Sequence, residues 1–318
     1  MSNLKNQKTR LPVSMDAFHA FHAFDFASLH DPRMRWQILR AWLQVVTREA
    51  FQTKIGIPLE MALLTLWEQG LPGGQVVERL GLPRRAVECC LGDALVVHVD
   101  PRKLIRSTDW RGYPHIKRPS SSAFIWDGDW DHRRRDLRYG SRYRFISDID
   151  VHRDNLKQTE RFRSLSKRLE TGRPWSSHQQ GVLLDSEERI LAYLRIYLEF
   201  LDGMATHGFD TSRGKDDLGV AITREGRILK INRGLHRLAM AQRIGLRSVP
   251  VRVKAVHRIW WQRVTDGAVG AAALARVQTA LAHCHPEDEP GKQDPVATPE
   301  AFDWPVPRLP TNLSKETE

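Results

Sequence analysis

Cysteine is scarce in this chain. There are three in 318 residues, two adjacent (Cys89 and Cys90) and one late (Cys284). That excludes a disulfide-stapled scaffold, and because vicinal cysteines seldom bridge, reduced thiols and a cytoplasmic location are expected. Long apolar runs are missing too. None approaches the roughly 20 residues that span a bilayer, so no membrane partner is expected. Residues 1–15 are polar and basic and lack the apolar stretch of a secretory signal. What remains is ordinary for a globular protein, with 41% hydrophobic and 27% charged residues.

The net charge of +11 is unevenly spread. Residues 1–101 carry +1, residues 102–173 carry +9, residues 174–280 carry +6 and residues 281–318 carry −5. A concentrated positive field attracts anions. Its partner could be nucleic acid, a phosphorylated metabolite or the acidic tail itself, and a merely solvated basic face is the bland alternative.

The chain reads as residues 1–14 disordered, a mainly helical region 15–105, a linker over 106–122, a mixed α/β region 123–283 and a disordered acidic, Pro-rich tail 284–318. An amphipathic helix is expected over 33–51, with Asp31 as N-cap and Pro32 at its first position. Its apolar stripe is Trp36, Leu39, Ala41, Leu43, Val46 and Ala50. Two short helices around 75–80 and 83–90, joined by Gly81-Leu82-Pro83, can be read as a helix-turn-helix, although recognition-helix features are few. A long helix is expected over 186–207. The period then changes to strands over 218–223 and 228–231 joined by an Arg224-Glu225-Gly226-Arg227 turn, a helix over 234–244 closed by Gly245, a strand over 249–256, and helix from Trp260 to about His283.

The most specific stretch is 220–256. Gly234 lets the backbone turn sharply into a helix. The first N–H groups of that helix lie at the positive end of its dipole, which is an anion site before any side chain is counted. Arg237 can add a bidentate contact to phosphate, His236 can donate or act as acid or base, and Arg233 brings a second cation. The plainer alternative is that His236 and Arg237 only finish a strand–helix junction.

The order strand, turn, strand, Gly234-Leu235-His236-Arg237, helix, strand resembles the ParB/sulfiredoxin-like superfamily. With Trp126-Asp127-Gly128-Asp129-Trp130-Asp131 upstream and His257-Arg258 and Trp260 downstream, it is similar to an uncharacterised bacterial and archaeal ParB-like subgroup. The resemblance implies an α/β (α+β) fold, a small mixed sheet with flanking helices. It also implies a nucleotide (ATP, ADP or CTP, with or without Mg²⁺) or a phosphorylated small molecule held at Arg233, Gly234, Leu235, His236 and Arg237. The departures are specific. Leu235 stands where sulfiredoxins carry the catalytic Cys, so that thiol chemistry is not expected. His236 stands where partition proteins carry the first Arg of Gly-Glu-Arg-Arg. Arg233 stands where the free serine kinases carry Asp.

A catalytic role would therefore draw its carboxylate from elsewhere. Asp127, Asp129 and Asp131 alternate, so in an extended segment they face one way and could serve as a base or hold Mg²⁺. Alternation with Gly128 and Trp130 suits a turn held by Asp side chains better. His236, Asp127 and Asp129 are the catalytic candidates. Glu225 reads as a turn residue, and Asp216 and Asp217 could face the site or solvent. His257 and Arg258 either line the pocket at a strand end or open a helix with Trp260 or Trp261 in the core. His19 and His22 have metal-ligand spacing but no third partner nearby, and no metal site is expected. Three functions follow: a nucleotide-dependent phosphotransferase, a non-catalytic nucleotide-binding regulator, and a DNA-binding protein using 102–173.

Overall fold

The structure, a computed structural model, describes residues 26–109, 119–178, 180–211, 217–231, 233–294 and 302–308. His19, His22 and Asp216 lie outside them. Chain contacts divide the protein into two compact units, Met1–Ala50 with His152–Glu199, and Phe51–Val151 with Phe200–Glu318. In chain order the strands are β1 (Val96–Val99), β2 (Arg106–Thr108), β3 (Ile125–Trp126), β4 (Arg134–Asp136), β5 (Trp175–Ser177), β6 (Val182–Leu184), β7 (Leu218–Ile222), β8 (Arg227–Lys230), β9 (Val249–His257) and β10 (His285–Pro286).

The smaller unit holds the helix Arg35–Phe51, the helix Glu160–Glu170, the start of Glu187–His207 and the β5–β6 hairpin. Asp31 caps the entry into the first helix as expected, accepting from the Arg33 backbone N–H, and Pro32 follows it in a short 3-10 turn. The apolar stripe expected to be buried is not. Trp36 is 80% exposed and Leu43 53%, while Met34 and Ile38 point inward. The inward face is fixed by the chain that packs on it, because Gly181 lies directly against Ile38. Phe26 stacks on Tyr193 at 5.7 Å, and Trp175 packs on the same ring.

The larger unit is built on a mixed eight-stranded sheet of order β1-β9-β7-β8-β2-β4, with β3 also on β9 and β10 also on β8. β7 pairs antiparallel with β8 through the Arg224 turn and parallel with β9. The connection from β8 to β9 is the helix Leu235–Ile244, here called the motif helix. Every residue of β7 is buried, and Val249, Val251, Val253 and Ala255 of β9 are inward at the period of two that a strand imposes. Trp126 and Trp130 meet edge to face at 5.3 Å over Ala221, Leu229 and Ala255. An α/β sheet with flanking helices, preceded by helices, is thus present.

Three further sequence expectations change. The continuous helix from Trp260 is two helices, Arg258–Thr265 and Gly270–Leu281, because Asp266 (φ +45°) and Gly267 (φ +75°) turn left-handed between them. Residues 106–108 of the expected linker are strand β2 inside the sheet, and residues 110–118 lie outside the described chain. The tail is ordered at 284–294 and 302–308, with β10 in the sheet and Glu287 buried. The two short helices expected around 75–80 and 83–90 are present as Gly74–Arg79 and Arg84–Leu91, and the turn between them packs on the chain. Gly81 O accepts from Ile125 N at 2.7 Å, Arg84 pairs with Glu88, and Arg85 pairs with Glu60.

Candidate functional site

Gly234 opens the motif helix with φ +85°, a conformation costly for other residues. A Cβ there would come within 2.6 Å of Leu218 Cδ2. Glycine is thus needed for both the turn and the close approach to β7. The first turn of the helix has no side-chain cap at Gly234.

Beside this turn lies a cavity of about 400 Å³. It is bounded by β2, β4, the end of β8, the motif helix and the helix Ser141–Val151, here called the wall helix. Among the described residues its charged lining is Arg135, Arg142, Lys230 and Arg233 and one carboxylate, Asp109, which is paired with Arg135. Lys230 is fully buried, and its ammonium donates to Gly219 O at 3.1 Å and Arg233 O at 2.7 Å, both neutral carbonyls. Arg142 has no ion-pair or hydrogen-bond partner among the described residues. The Thr108 hydroxyl is buried without a hydrogen-bond partner among the described residues. Gln242 spends its amide hydrogens on Pro101 O and Leu104 O, which leaves its carbonyl oxygen as the polar atom it can offer. Leu137, Leu235 and Leu238 form an apolar side. Burial pushes the Tyr143 phenol above its ordinary value, against the pull of neighbouring Arg243.

Of the five motif residues, the structure brings Arg233 and Leu235 to this cavity and makes Gly234 its hinge. His236 and Arg237 do not line it. His236 packs edge-on against Phe145 at 6.0 Å, and the Arg237 guanidinium lies 4.6 Å from the Phe209 ring centre. The Arg237 guanidinium thus faces an aromatic ring and does not line this cavity.

The three aspartates do not share a face. Gly128 (φ +88°) breaks the extension that their alternation would need, and the segment is a turn. Asp127 pairs with Arg258, whose guanidinium also donates to Glu78 O and Arg79 O. Asp129 and Asp131 are both held by Arg224, which donates to Asp131 from its backbone N–H at 2.9 Å and from its side chain at 2.7 Å. Burial raises the Asp131 carboxyl, but these Arg224 hydrogen bonds outweigh it and hold the group below its ordinary value. The hydrogen bonds from Arg224 also lower Asp129. His257 closes the same knot. Its Nδ1 accepts from Ile259 N at 3.0 Å, so Nε2 carries the proton toward Gly128 O at 2.9 Å. This is a clasp between two turns and a helix start, and none of its members lines the cavity. Glu225 stays on the hairpin turn, within 3.5 Å of Arg134, and Asp217 pairs with Arg252 at 2.9 Å. No group of three or more metal-ligating side chains occurs among the described residues.

Sequence reading missed Arg135, Arg142, Lys230, Thr108 and Tyr143. The only signal for Arg135, Arg142 and Tyr143 is the arginine density of 133–144 within the basic middle, and Thr108 and Lys230 carry none. Part of that basic excess meets the acidic tail instead, since Arg134 pairs with Glu287 at 2.7 Å with both side chains buried. Burial pushes Glu287 above its ordinary value despite Arg134. No protein-family model matches the chain, and neither does any curated protein or solved structure.

Proposed function

We propose that the protein binds a small ligand with a terminal phosphate, nucleotides included, in the cavity between the motif helix and the wall helix. The observation that carries this is the charge of the lining, four cations and one carboxylate among the described residues around about 400 Å³. Such a volume suits a small ligand, within the roughly 300–1,000 Å³ usual for such sites. A phosphomonoester brings about −1.5 to −2 charges, whereas each backbone phosphodiester of DNA brings about −1. A predominantly cationic lining favours the former, and the volume of about 400 Å³ suits a small molecule rather than a duplex. The apolar side at Leu137, Leu235 and Leu238 gives the organic part a place to lie. The turn at Gly234 is also where the resemblance to ParB/sulfiredoxin-like proteins would put a phosphate, which supports the same reading.

The test is a thermal-shift series with pyrophosphate, AMP, ADP, ATP, CTP, a cyclic nucleotide and duplex DNA, with and without Mg²⁺. Binding at one hundred times Kd stabilises by about 2.7 kcal/mol, a shift of several degrees. The expected result is a shift with terminal phosphates that Arg142→Ala combined with Arg233→Ala abolishes. The proposal is overturned if none of the phosphorylated probes shifts the protein, if the double variant shifts equally, or if only DNA binds, with a steep salt dependence.

A further inference from the structure

The C-terminal segment 302–308, expected to be disordered, is fastened across both helices that bound the cavity. At the motif helix, Arg308 N donates to Ile244 O at 2.9 Å, closing the last turn. At the wall helix, the Arg308 guanidinium pairs with Asp150, whose other oxygen takes Arg243 Nε at 2.7 Å. The Asp150 side chain is 3% exposed, so this carboxylate joins the two helices in a dry setting. Burial raises its carboxyl, and hydrogen bonds from Arg243 and Arg308 more than reverse that.

Between these fastenings sit two aromatic rings. Phe302 and Trp304 pack edge-on against Tyr143, at 5.6 and 5.5 Å, and against each other at 4.8 Å. Arg102 lies over Trp304 at 5.4 Å and donates to Pro305 O at 2.7 Å and to Gln242 O at 3.0 Å. Tyr143 and Gln242 are lining residues of the cavity. The segment thus touches the site through two residues while lining none of it.

We propose that residues 302–308 are a strap that sets the shape of the cavity, with Trp304 the positioning residue acting through Tyr143 and, by way of Arg102, through Gln242. The strap's effect on ligand rests on the binding reading above, but its effect on the helices does not. A strap of this kind couples residues 302–308 to the site. By linkage, a ligand that prefers the closed wall also protects the strap.

The experiment uses the full chain with Trp304→Ala, Trp304→Phe and Arg308→Ala. Amide hydrogen exchange is followed along Ser141–Val151 without ligand, and ADP and pyrophosphate affinity is measured well below the melting temperature. Trp304→Ala should speed exchange in Ser141–Val151 about tenfold and weaken the probes about tenfold, with Trp304→Phe restoring most of both. Arg308→Ala, at a half-exposed side chain, should act in the same direction more weakly and keeps the test open if Trp304→Ala does not fold. Unchanged exchange in Ser141–Val151 overturns the strap whether or not a probe binds. Faster exchange with wild-type affinity overturns the positioning role, since a brace that only stabilised would behave so. Faster exchange in a protein whose wild type takes up neither probe supports the strap and counts against the binding reading alone.

Discussion

The larger unit holds two clusters of charge that look alike in composition and behave oppositely. In the clasp, Arg224 and Arg258 face Asp127, Asp129 and Asp131, and each charge is answered within hydrogen-bonding distance. In the cavity, the described lining has four cations and one carboxylate, and the Arg142 side chain has no partner among the described residues. Removing one member of a satisfied buried pair leaves an uncompensated charge, which is expensive. Removing Arg142 leaves no described partner unsatisfied. The clasp therefore reads as stability and the cavity as binding.

The largest expected effect breaks the clasp. Asp131→Ala takes away the buried partner of Arg224 and leaves it only the exposed Asp129 and Gly128 O, and should cost about 2–3 kcal/mol, read as a fall in the urea midpoint. A loss below about 1 kcal/mol would mean that the clasp is merely a surface ion pair. Next is the hinge beside the cavity. Gly234→Ala meets both the positive φ and the Leu218 side chain, and a loss of about 1–3 kcal/mol is expected; an unchanged melting temperature would refute that need for glycine.

The clasp can also be broken by acid. Asp131 is held below its unfolded value of about 3.8. Its contribution is therefore fully present above that value and is lost as pH falls through the lower folded value. Stability curves of wild type and Asp131→Asn should differ most above pH 4 and converge as acid protonates the wild-type group. Parallel curves through that range would argue against the linkage. The smallest effect on stability is expected in the cavity. Arg142→Ala should change the folding free energy by no more than about 0.5 kcal/mol, while weakening the phosphate probes about tenfold. The opposite pattern, lost stability with intact binding, would erase the contrast between the two clusters.

Local signals carried the reading well where structure is local. The Asp31-Pro32 entry, the Gly226 turn, the glycine opening the motif helix and the period-two pattern of β9 stand where residue chemistry puts them. Failures came where spacing was asked to decide through-space relations. The aspartate alternation held only if the segment were extended, and Gly128 bends it. Periodicity alone points the stripe on Arg35–Phe51 inward, but the residues packed against Ile38 fix another face. Composition made the tail look unstructured, since acidic and proline-rich stretches rarely bury enough surface. Yet Trp304, Phe302 and Glu287 find partners some 150 residues earlier.

The sequence by itself determined the run of strands and helices between 218 and 257, the left-handed glycine at its turn and a positive charge heavy in the middle of the chain. These follow from backbone sterics and from side-chain periodicity, which act over a few residues. Only the tertiary structure decided which arginines are spent on carboxylates and which face a cavity. It turned His236 and Arg237 onto aromatic rings and laid the C-terminal segment across two helices. Whether a charge is answered depends on what lies within a few ångströms in space, and residues that far apart along the chain meet only once it has folded.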